Sequence, residues 1–283
     1  MALTAPHRLL LVHAHPDDES LWTGGTIARY AAQDVQVTVV TCTLGEQGEV
    51  IPPELARLTA DAADQLGGYR VGELRSACAA LGVTDHRFLG GIGRWRDSGM
   101  VGDPANAHPR AFINGSLDEQ AAALREVIDE FHPQVVVTYA ADGGYGHPDH
   151  IRAHQVTMAA ATGEVRVFHT VPSRAAVDDG VAALAGFDGL PYRLPVPGEL
   201  PGVPDSAITT MIDIAAHVPA KLRALRSHAT QISVWDGDGG RYAYALSNGI
   251  AQPVLTHEYF VAHGVPAAAS AAAVADDLFG GLA

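Results

Sequence analysis

The chain has 283 residues, of which 47% are hydrophobic and 18% are charged, and its formal net charge at pH 7 is −14. This composition is typical of a globular protein with a sizeable core and excludes a disordered chain. The acidic balance argues against nucleic acid and anionic membrane surfaces as partners.

The two cysteines and the N-terminal residues bear on the cellular compartment. Cys42 and Cys78 lie in apolar patterns far apart in the sequence, which predicts buried core residues and no disulfide framework. Residues 1–7 lack the long apolar region of a signal peptide, and the apolar run at 9–12 is too short to cross a membrane. We therefore expect a cytoplasmic protein.

The first elements in chain order predict a parallel sheet. Residues 8–13 have the pattern of a buried strand, residues 21–32 that of a helix and residues 35–41 that of a second buried strand. Together they form a β-α-β unit, for which a right-handed crossover is expected. Residues 57–81 then show helical spacing that is interrupted by a pair of glycines.

The middle of the chain combines a long loop with further α/β elements. Residues 86–89 predict a short strand, and residues 90–110, rich in Gly, Pro, Asp and Asn, predict a long loop of the kind that is often functional. An apolar face at helical spacing predicts a helix over 118–131. A buried strand is expected at 134–139 and a helix at 150–161.

The last part of the chain is less regular. Residues 165–171 and 208–214 predict strands, and residues 218–227 predict a helix with three basic residues. Between them, residues 172–205 accumulate Pro and Gly and predict irregular structure. The Ala/Ser-rich stretch at 267–273 predicts a helical or frayed tail.

These elements predict an α/β fold with a mostly parallel sheet flanked by helices. We expect a main domain over residues 1–170, with 218–250 packed back on it. Residues 171–217 and 251–283 are expected to form a smaller C-terminal portion that walls the pocket. The sequence does not indicate the oligomeric state.

Two polar clusters follow two of the predicted buried strands. His15-Pro16-Asp17-Asp18 comes after the strand at 8–13, and a Gly-rich segment ending in His147-Pro148-Asp149-His150 comes after the strand at 134–139. Ligands of open α/β sheets bind at the carboxyl ends of the strands. The sequence therefore predicts one active site built from two strand ends.

The residue types of the two clusters predict a metal site. His15 and Asp18 are three residues apart, so both side chains can converge on one ion from a tight turn, and His150 is the best candidate for a third ligand. Two histidines and one carboxylate are a plausible hydrolytic zinc set with an open position for water. Iron(II) would accept the same set.

The remaining polar residues of the clusters suit acid–base chemistry. Asp17, close to the ion but not coordinating it, is the natural general base. Tyr145 and His147 are the donors available to stabilise an oxyanion. Asp149 is suited to hold the tautomer of His147.

These residues resemble the PIG-L/LmbE-like zinc N-deacetylase family. The resemblance rests on His-Pro-Asp-Asp-Glu at 15–19 and His-Pro-Asp-His at 147–150. Within the family, the pattern is most similar to the branch that removes acetate from 1-D-myo-inosityl 2-acetamido-2-deoxy-α-D-glucopyranoside in mycothiol biosynthesis. Further stretches that carry the likeness are residues 39–46, 48–50, 65–70, 93–100, 143–150 and 227–231.

The resemblance implies a fold, a cofactor and roles for individual residues. It implies a Rossmann-like sheet and one Zn²⁺ per subunit held by His15, Asp18 and His150, with Asp17 as general base. It also implies that Tyr145 and His147 stabilise the oxyanion or protonate the leaving amine, with Asp149 supporting His147. Residues that match positions expected to contact sugar or inositol hydroxyls are Glu49, Arg70 and Asp97.

Two alternative functions remain open at this point. One is a mycothiol S-conjugate amidase of the same family, and the other is a non-catalytic sugar-binding module. Because a binding module has no need of an uncoordinated base, Asp17 argues against the second. Two features depart from the family pattern, Trp22 after the first motif and Ala140-Ala141-Asp142 before the second.

Overall fold

The computed structural model describes residues 6–163, 165–265 and 274–282, so the tail expected at 267–273 lies outside the described residues. The strands are β1 Arg8–His13, β2 Gln36–Thr41, β3 Asp85–Phe88, β4 Val135–Tyr139, β5 Arg166–Val171, β6 Thr210–Asp213, β7 Ser233–Gly237, β8 Arg241–Ala245, β9 Gln252–Pro253 and β10 His257–Ala262. The α-helices are α1 Asp18–Ala31, α2 Leu66–Leu81, α3 Leu117–Phe131, α4 Pro148–Ala160, α5 Arg174–Leu184 and α6 Val218–Ser227.

A seven-stranded sheet in the order β3-β2-β1-β4-β5-β10-β6 organises the fold. Strands β1 to β5 are parallel, and β10 runs antiparallel to both β5 and β6. In the central register, Leu11 of β1 lies between Val39 of β2 and Val137 of β4. The mostly parallel sheet confirms the α/β prediction. Strands β7, β8 and β9 form a separate antiparallel sheet.

The apolar run of β1 faces two hydrophobic layers. Leu9 and Leu11 pack into one core cluster, together with side chains of α1, α2 and α6. Leu10 and Val12 pack into the other, together with side chains of α3 and α4. Successive strand residues point to opposite faces, and helices cover both faces here, so an unbroken apolar run suits this strand.

The sheet order creates a topological switch point beside β1. From β1 the chain passes through α1 to β2 on one side, whereas β4 lies on the other side of β1. Connections that leave neighbouring strands in opposite directions open a crevice at the carboxyl ends of those strands. Residues 14–17 after β1 and residues 140–147 after β4 meet at this crevice.

Two helix starts differ from the predicted ones by three residues or more. Helix α1 begins at Asp18, three residues before the predicted start, and its first turn contains two acidic residues, which suit the positive end of the helix dipole. Helix α2 begins only at Leu66, so the predicted helix over 57–65 is wrong and the glycine pair lies in its first turn. A Cβ at Gly67 would come within 2.9 Å of the Cβ of Leu44, which explains a glycine in this helix.

The segment predicted to be irregular, 172–205, contains helix α5. Ser173 caps it, since its side chain accepts a hydrogen bond from the backbone N–H of Ala176. Val177 and Leu184 are its buried residues, and each packs into a small apolar cluster. Four of its residues are alanines and its only large apolar side chains are Val177, Val181 and Leu184, so its helical periodicity does not stand out from the sequence.

The domain boundaries stay a prediction, but two strands outside the expected main domain join the large sheet. They are β6 and β10, and β10 is hydrogen-bonded between β5 and β6. Cys42 and Cys78 are buried and unpaired, which confirms their predicted place in the core. Among the described helices, none has the length and apolar character needed to cross a lipid bilayer.

Candidate active site

The turn after β1 brings two predicted ligands together. The backbone N–H of His15 donates to Oδ2 of Asp18 over 2.9 Å, which folds residues 15–18 into a tight turn. The same oxygen lies 3.3 Å from Nδ1 of His15. Both side chains are buried.

The start of α4 supplies the third predicted ligand. Pro148 occupies the first turn of α4, where its missing N–H costs nothing. His150 Nδ1 lies 3.1 Å from the carbonyl oxygen of Gly143, and donation to it leaves Nε2 with a free lone pair. That Nε2 lies 3.4 Å from Oδ2 of Asp18. The ring of Tyr139 stacks on that of His150 with 4.1 Å between centroids.

The spacing of these atoms fits a tetrahedral metal ion. Ligand atoms about 2.0–2.1 Å from such an ion lie about 3.3–3.4 Å from one another. The separations of Asp18 Oδ2 from His15 Nδ1 and His150 Nε2 are 3.3 and 3.4 Å. The buried Nε2 of His150 also has no hydrogen-bond partner among the described residues, as expected of an atom that binds an ion.

Within the described part of the chain, two sets of three side chains have ligand atoms within 4.8 Å of one another. One is His15, His147 and His150, and the other is His15, Asp97 and Asp149. The first shares two histidines with the predicted ligand set, with His147 in place of Asp18. Together with the Asp18 distances, these sets make the end of β1 a candidate metal site.

Two carboxylates contact the other edge of the His15 ring. Its Nε2 lies 3.3 Å from Oδ2 of Asp149 and 3.5 Å from Oδ1 of Asp97. Although burial opposes it, Asp97, Asp149 and Asp18 raise the pKa of His15 well above its ordinary value. A carboxylate on the far nitrogen orients a ligand histidine and raises its basicity.

The carboxylate of Asp149 contacts a different histidine from the predicted one. Its carboxylate was expected to hold His147, but Oδ2 contacts His15 and accepts from the backbone N–H of Ser98. The backbone N–H of Asp149 instead donates to Nδ1 of His147 over 3.1 Å. This bond leaves the neutral His147 ring with its proton on Nε2. Burial, helped by His15 and His150, lowers the pKa of His147 to about 3.

Asp17 lies next to the ligands in a constrained conformation. Its φ of 114° is a value that side chains other than glycine rarely adopt. Its Oδ2 lies 3.0 Å from the guanidinium of Arg70. Burial raises the pKa of Asp17 to about 6, against the opposing effect of Arg70. A carboxyl group in this range is suited to accept a proton near neutral pH.

Two fully buried residues beside Asp17 were not predicted as functional. Glu19 accepts a hydrogen bond from the backbone N–H of Asp17, and its other oxygen lies 2.7 Å from Nε2 of His228. Both occur in stretches that carry the family resemblance, at 15–19 and 227–231. That membership was a signal, but nothing in the local pattern indicates that the two residues meet.

Tyr145 stands at the rim of the site. It is half-exposed, and its ring lies nearly parallel to that of Trp22, with an interplanar angle of 4° and 6.5 Å between centroids. Gly144 between them has a φ of 80°, and a Cβ there would lie 2.7 Å from the Trp22 ring. Trp22, which departs from the family pattern, therefore packs beside the ring of Tyr145. Its ring leaves no room for a side chain at position 144.

The site opens into a cleft of about 730 Å³. The three predicted substrate contacts, Glu49, Arg70 and Asp97, all line this cleft. Arg70 is only 2% exposed and also donates to the carbonyl oxygens of Gly45 and Pro16, so much of its hydrogen bonding is internal. The opposite wall comes from the C-terminal half of the chain, including Leu200, Ile250, Pro253, Leu255 and Tyr259.

Comparison with models of known protein families identifies the family of this chain. The model of the family described as PIG-L, GlcNAc-PI de-N-acetylase, matches residues 10–161. The chain belongs to the PIG-L family. The matched segment includes the turn after β1, the loop after β4 and the start of α4.

Curated relatives match this PIG-L chain over nearly its whole length. A protein of Actinosynnema mirum named 1D-myo-inositol 2-acetamido-2-deoxy-alpha-D-glucopyranoside deacetylase is 66% identical over 100% of this chain and 99% of its own. A protein of Saccharopolyspora erythraea, named as deacetylase 1 for the same compound, is 64% identical over 100% and 96%.

Solved structures share the fold of this PIG-L chain. A deacetylase in complex with teicoplanin aligns with a TM-score of 0.52 and 21% identity over 91% of this chain and 99% of its own. The 4-carboxy-2-hydroxymuconate hydratase of Pseudomonas putida KT2440 aligns with a TM-score of 0.52 and 20% identity over 80% of both chains. At these identities the likeness concerns the fold alone, and the second neighbour shows that this fold also supports a different reaction.

Proposed function

We propose that the protein is a zinc-dependent hydrolase that removes the acetyl group from 1D-myo-inosityl 2-acetamido-2-deoxy-α-D-glucopyranoside in mycothiol biosynthesis. One observation carries the proposal: Asp17, a largely buried carboxyl group with a pKa near 6, adjoins a His15–Asp18–His150 set at the end of a cleft. The 66% identity to a protein named for this deacetylation supports the choice of substrate.

The donor set determines what a bound ion contributes. His15, Asp18 and His150 would hold it, and when bound it would polarise an amide carbonyl and lower the pKa of a water molecule towards about 7. Asp97 and Asp149 would fix the ring of His15 from its far side. We propose zinc because two nitrogens and one carboxylate oxygen suit it, and iron(II) is the competing metal.

Asp17 carries the proton transfers in this proposal. With its pKa near 6, the carboxylate is mostly ionised at neutral pH and removes a proton from the attacking water. The protonated Asp17 then donates to the amine nitrogen as the carbon–nitrogen bond breaks. Acetate and a free amino sugar are the products.

His147 and Tyr145 stabilise the charge that develops on the carbonyl oxygen. Because the pKa of His147 is near 3, its ring is neutral, and its Nδ1 already accepts the N–H of Asp149. It therefore offers Nε2–H as a hydrogen-bond donor. The phenol of Tyr145, held against Trp22, is the second donor at the cleft rim.

The polar end of the cleft is proposed to bind the sugar and inositol hydroxyls. Glu49, Arg70 and Asp97 lie in its lining and offer both donors and acceptors. We expect a small-molecule partner only, and we propose that the enzyme acts in the cytoplasm, whose reducing conditions suit two buried, unpaired cysteines.

The experiment that tests the proposal measures acetate release from the acetylated amino sugar by metal-stripped protein, with and without added Zn²⁺. Turnover restored by zinc supports it, whereas anaerobic Fe²⁺ restoring much more turnover than zinc contradicts the metal assignment. A bimane–mycothiol conjugate is tested in parallel. A large excess of turnover on this conjugate would favour the S-conjugate amidase, and zinc binding without turnover of any substrate would favour a sugar-binding module.

A further inference from the structure

The backbone of Asp17 needs external support. Its φ of 114° and ψ of −31° lie outside the regions that side chains other than glycine usually occupy. Such conformations persist only where surrounding contacts hold them. The residue also immediately precedes α1, so a change in its φ would redirect its carboxylate relative to Asp18.

Glu19 supplies this support from the next turn. Its Oε2 accepts the backbone N–H of Asp17 over 3.0 Å, and its Oε1 accepts the hydroxyl of Ser20 over 2.5 Å. Glu19 is completely buried. A buried carboxylate is unfavourable unless it is paired and hydrogen-bonded, so this contact depends on a partner for Glu19.

His228 is that partner. Its Nε2 lies 2.7 Å from Oε1 of Glu19, and its side chain is also completely buried. The residue follows α6, and its backbone is fixed because its carbonyl oxygen accepts the N–H groups of Gln231 and Ile232. The pair therefore anchors the turn before α1 to a rigid segment that lies 209 residues away in the sequence.

We propose that Glu19 and His228 form a positioning pair that holds the backbone of Asp17 in its unusual conformation and so aims the general base. Neither side chain is among the residues that line the cleft, so neither touches the substrate. Arg70 holds the carboxylate of Asp17, whereas the pair holds its backbone. The inference rests on the proposed function, in which Asp17 is the base.

The test compares two substitutions of His228 in two backgrounds. His228→Leu removes the donor to Glu19, whereas His228→Gln places an amide nitrogen where Nε2 lies. Each is made in the natural sequence and in the Asp17→Asn variant, and kcat, KM, zinc content and melting temperature are measured. His217→Leu, immediately before α6 and outside the lining of the cleft, is the control for loss of a partly buried histidine, and we expect its kcat to be unchanged.

The positioning role predicts a specific pattern. His228→Leu lowers kcat by about 10-fold or more with full zinc content and with KM changed less than about 2-fold, and His228→Gln recovers most of the loss. In the Asp17→Asn background the base is already absent, so His228→Leu lowers kcat by less than about 2-fold. Should His228→Leu not fold, His228→Asn replaces it, because its shorter amide does not reach Glu19.

Several results would overturn the proposal. They are an unchanged kcat in His228→Leu, an equal loss in both backgrounds, or a loss of zinc that parallels the loss of activity. A crystal structure of His228→Leu with the φ of Asp17 unchanged would overturn it independently of any assay. Absence of turnover in the natural sequence, or full activity of Asp17→Asn, would instead count against the proposed function.

Discussion

Replacing Asp17 by Asn should make the metal-free protein more stable while it abolishes most of the turnover. Burial raises the pKa of Asp17 from the ordinary value of 3.8 to about 6, a net effect that already includes the attraction of Arg70. A folded-state pKa above the unfolded one means that ionisation destabilises the fold. This penalty is absent well below pH 3.8, grows as the pH rises from 3.8 to 6, and reaches at most about 3 kcal/mol above that range.

Asn carries no charge, so the variant escapes the penalty and also tolerates a positive φ. From these two pKa values, its advantage in unfolding free energy should grow by about 2 kcal/mol between about pH 4.5 and pH 7.5. Urea unfolding of both proteins, stripped of metal, measures this difference at each pH. Turnover should fall about 10²–10⁴-fold, the usual contribution of a general base. Unfolding free energies that differ by the same amount at both pH values would refute the reasoning.

Four other substitutions test separate parts of the structure. His150→Ala should lose the metal, because it removes a buried nitrogen, Nε2, that has no hydrogen-bond partner among the described residues and is free to bind an ion. Full zinc content by elemental analysis would show that the ligand is misassigned. Tyr145→Phe should lower kcat about 10²-fold, the effect of one oxyanion donor, and an unchanged kcat would remove Tyr145 from the mechanism. Gly25→Ala should lower the free energy of unfolding by about 1–3 kcal/mol, since its Cβ would lie 2.6 Å from Cβ of Ile214. Gly72→Ala, in a helix with nothing within 4 Å of the new Cβ, should raise it by about 0.5–1 kcal/mol in the same urea titration, and equal effects of the two glycines would contradict the packing argument.

The parts of the structure that local patterns determine were predictable from the sequence. The unbroken apolar run of β1 indicates burial on both faces, and α6 has the bounds that its spacing predicts. The meeting of His15 and Asp18 follows from the geometry of a short turn, and the nearness of His150 follows from the rule that parallel strands end at one edge of a sheet.

The parts that depend on long-range contacts were not predictable. Strand β10 mixes polar and apolar residues, so its sequence alone does not indicate that it enters the large sheet. The contact between Glu19 and His228 joins residues 209 positions apart. The carboxylate of Asp149 contacts His15 and not its neighbour His147. The Nδ1 atom of His147 accepts a hydrogen bond from the backbone N–H of Asp149 and needs no carboxylate there.

Strand β10 has a consequence for how the protein is made. Its Glu258 accepts the backbone N–H groups of Gly25 and Thr26 in α1 and pairs with the buried Lys221. A nascent chain still lacking β10 presents β5 with an unpaired strand edge, a surface prone to association with other chains. The helix that begins at Asp18 therefore obtains this anchor only once β10 has been synthesised, so the turn that precedes α1 is not fully held before then.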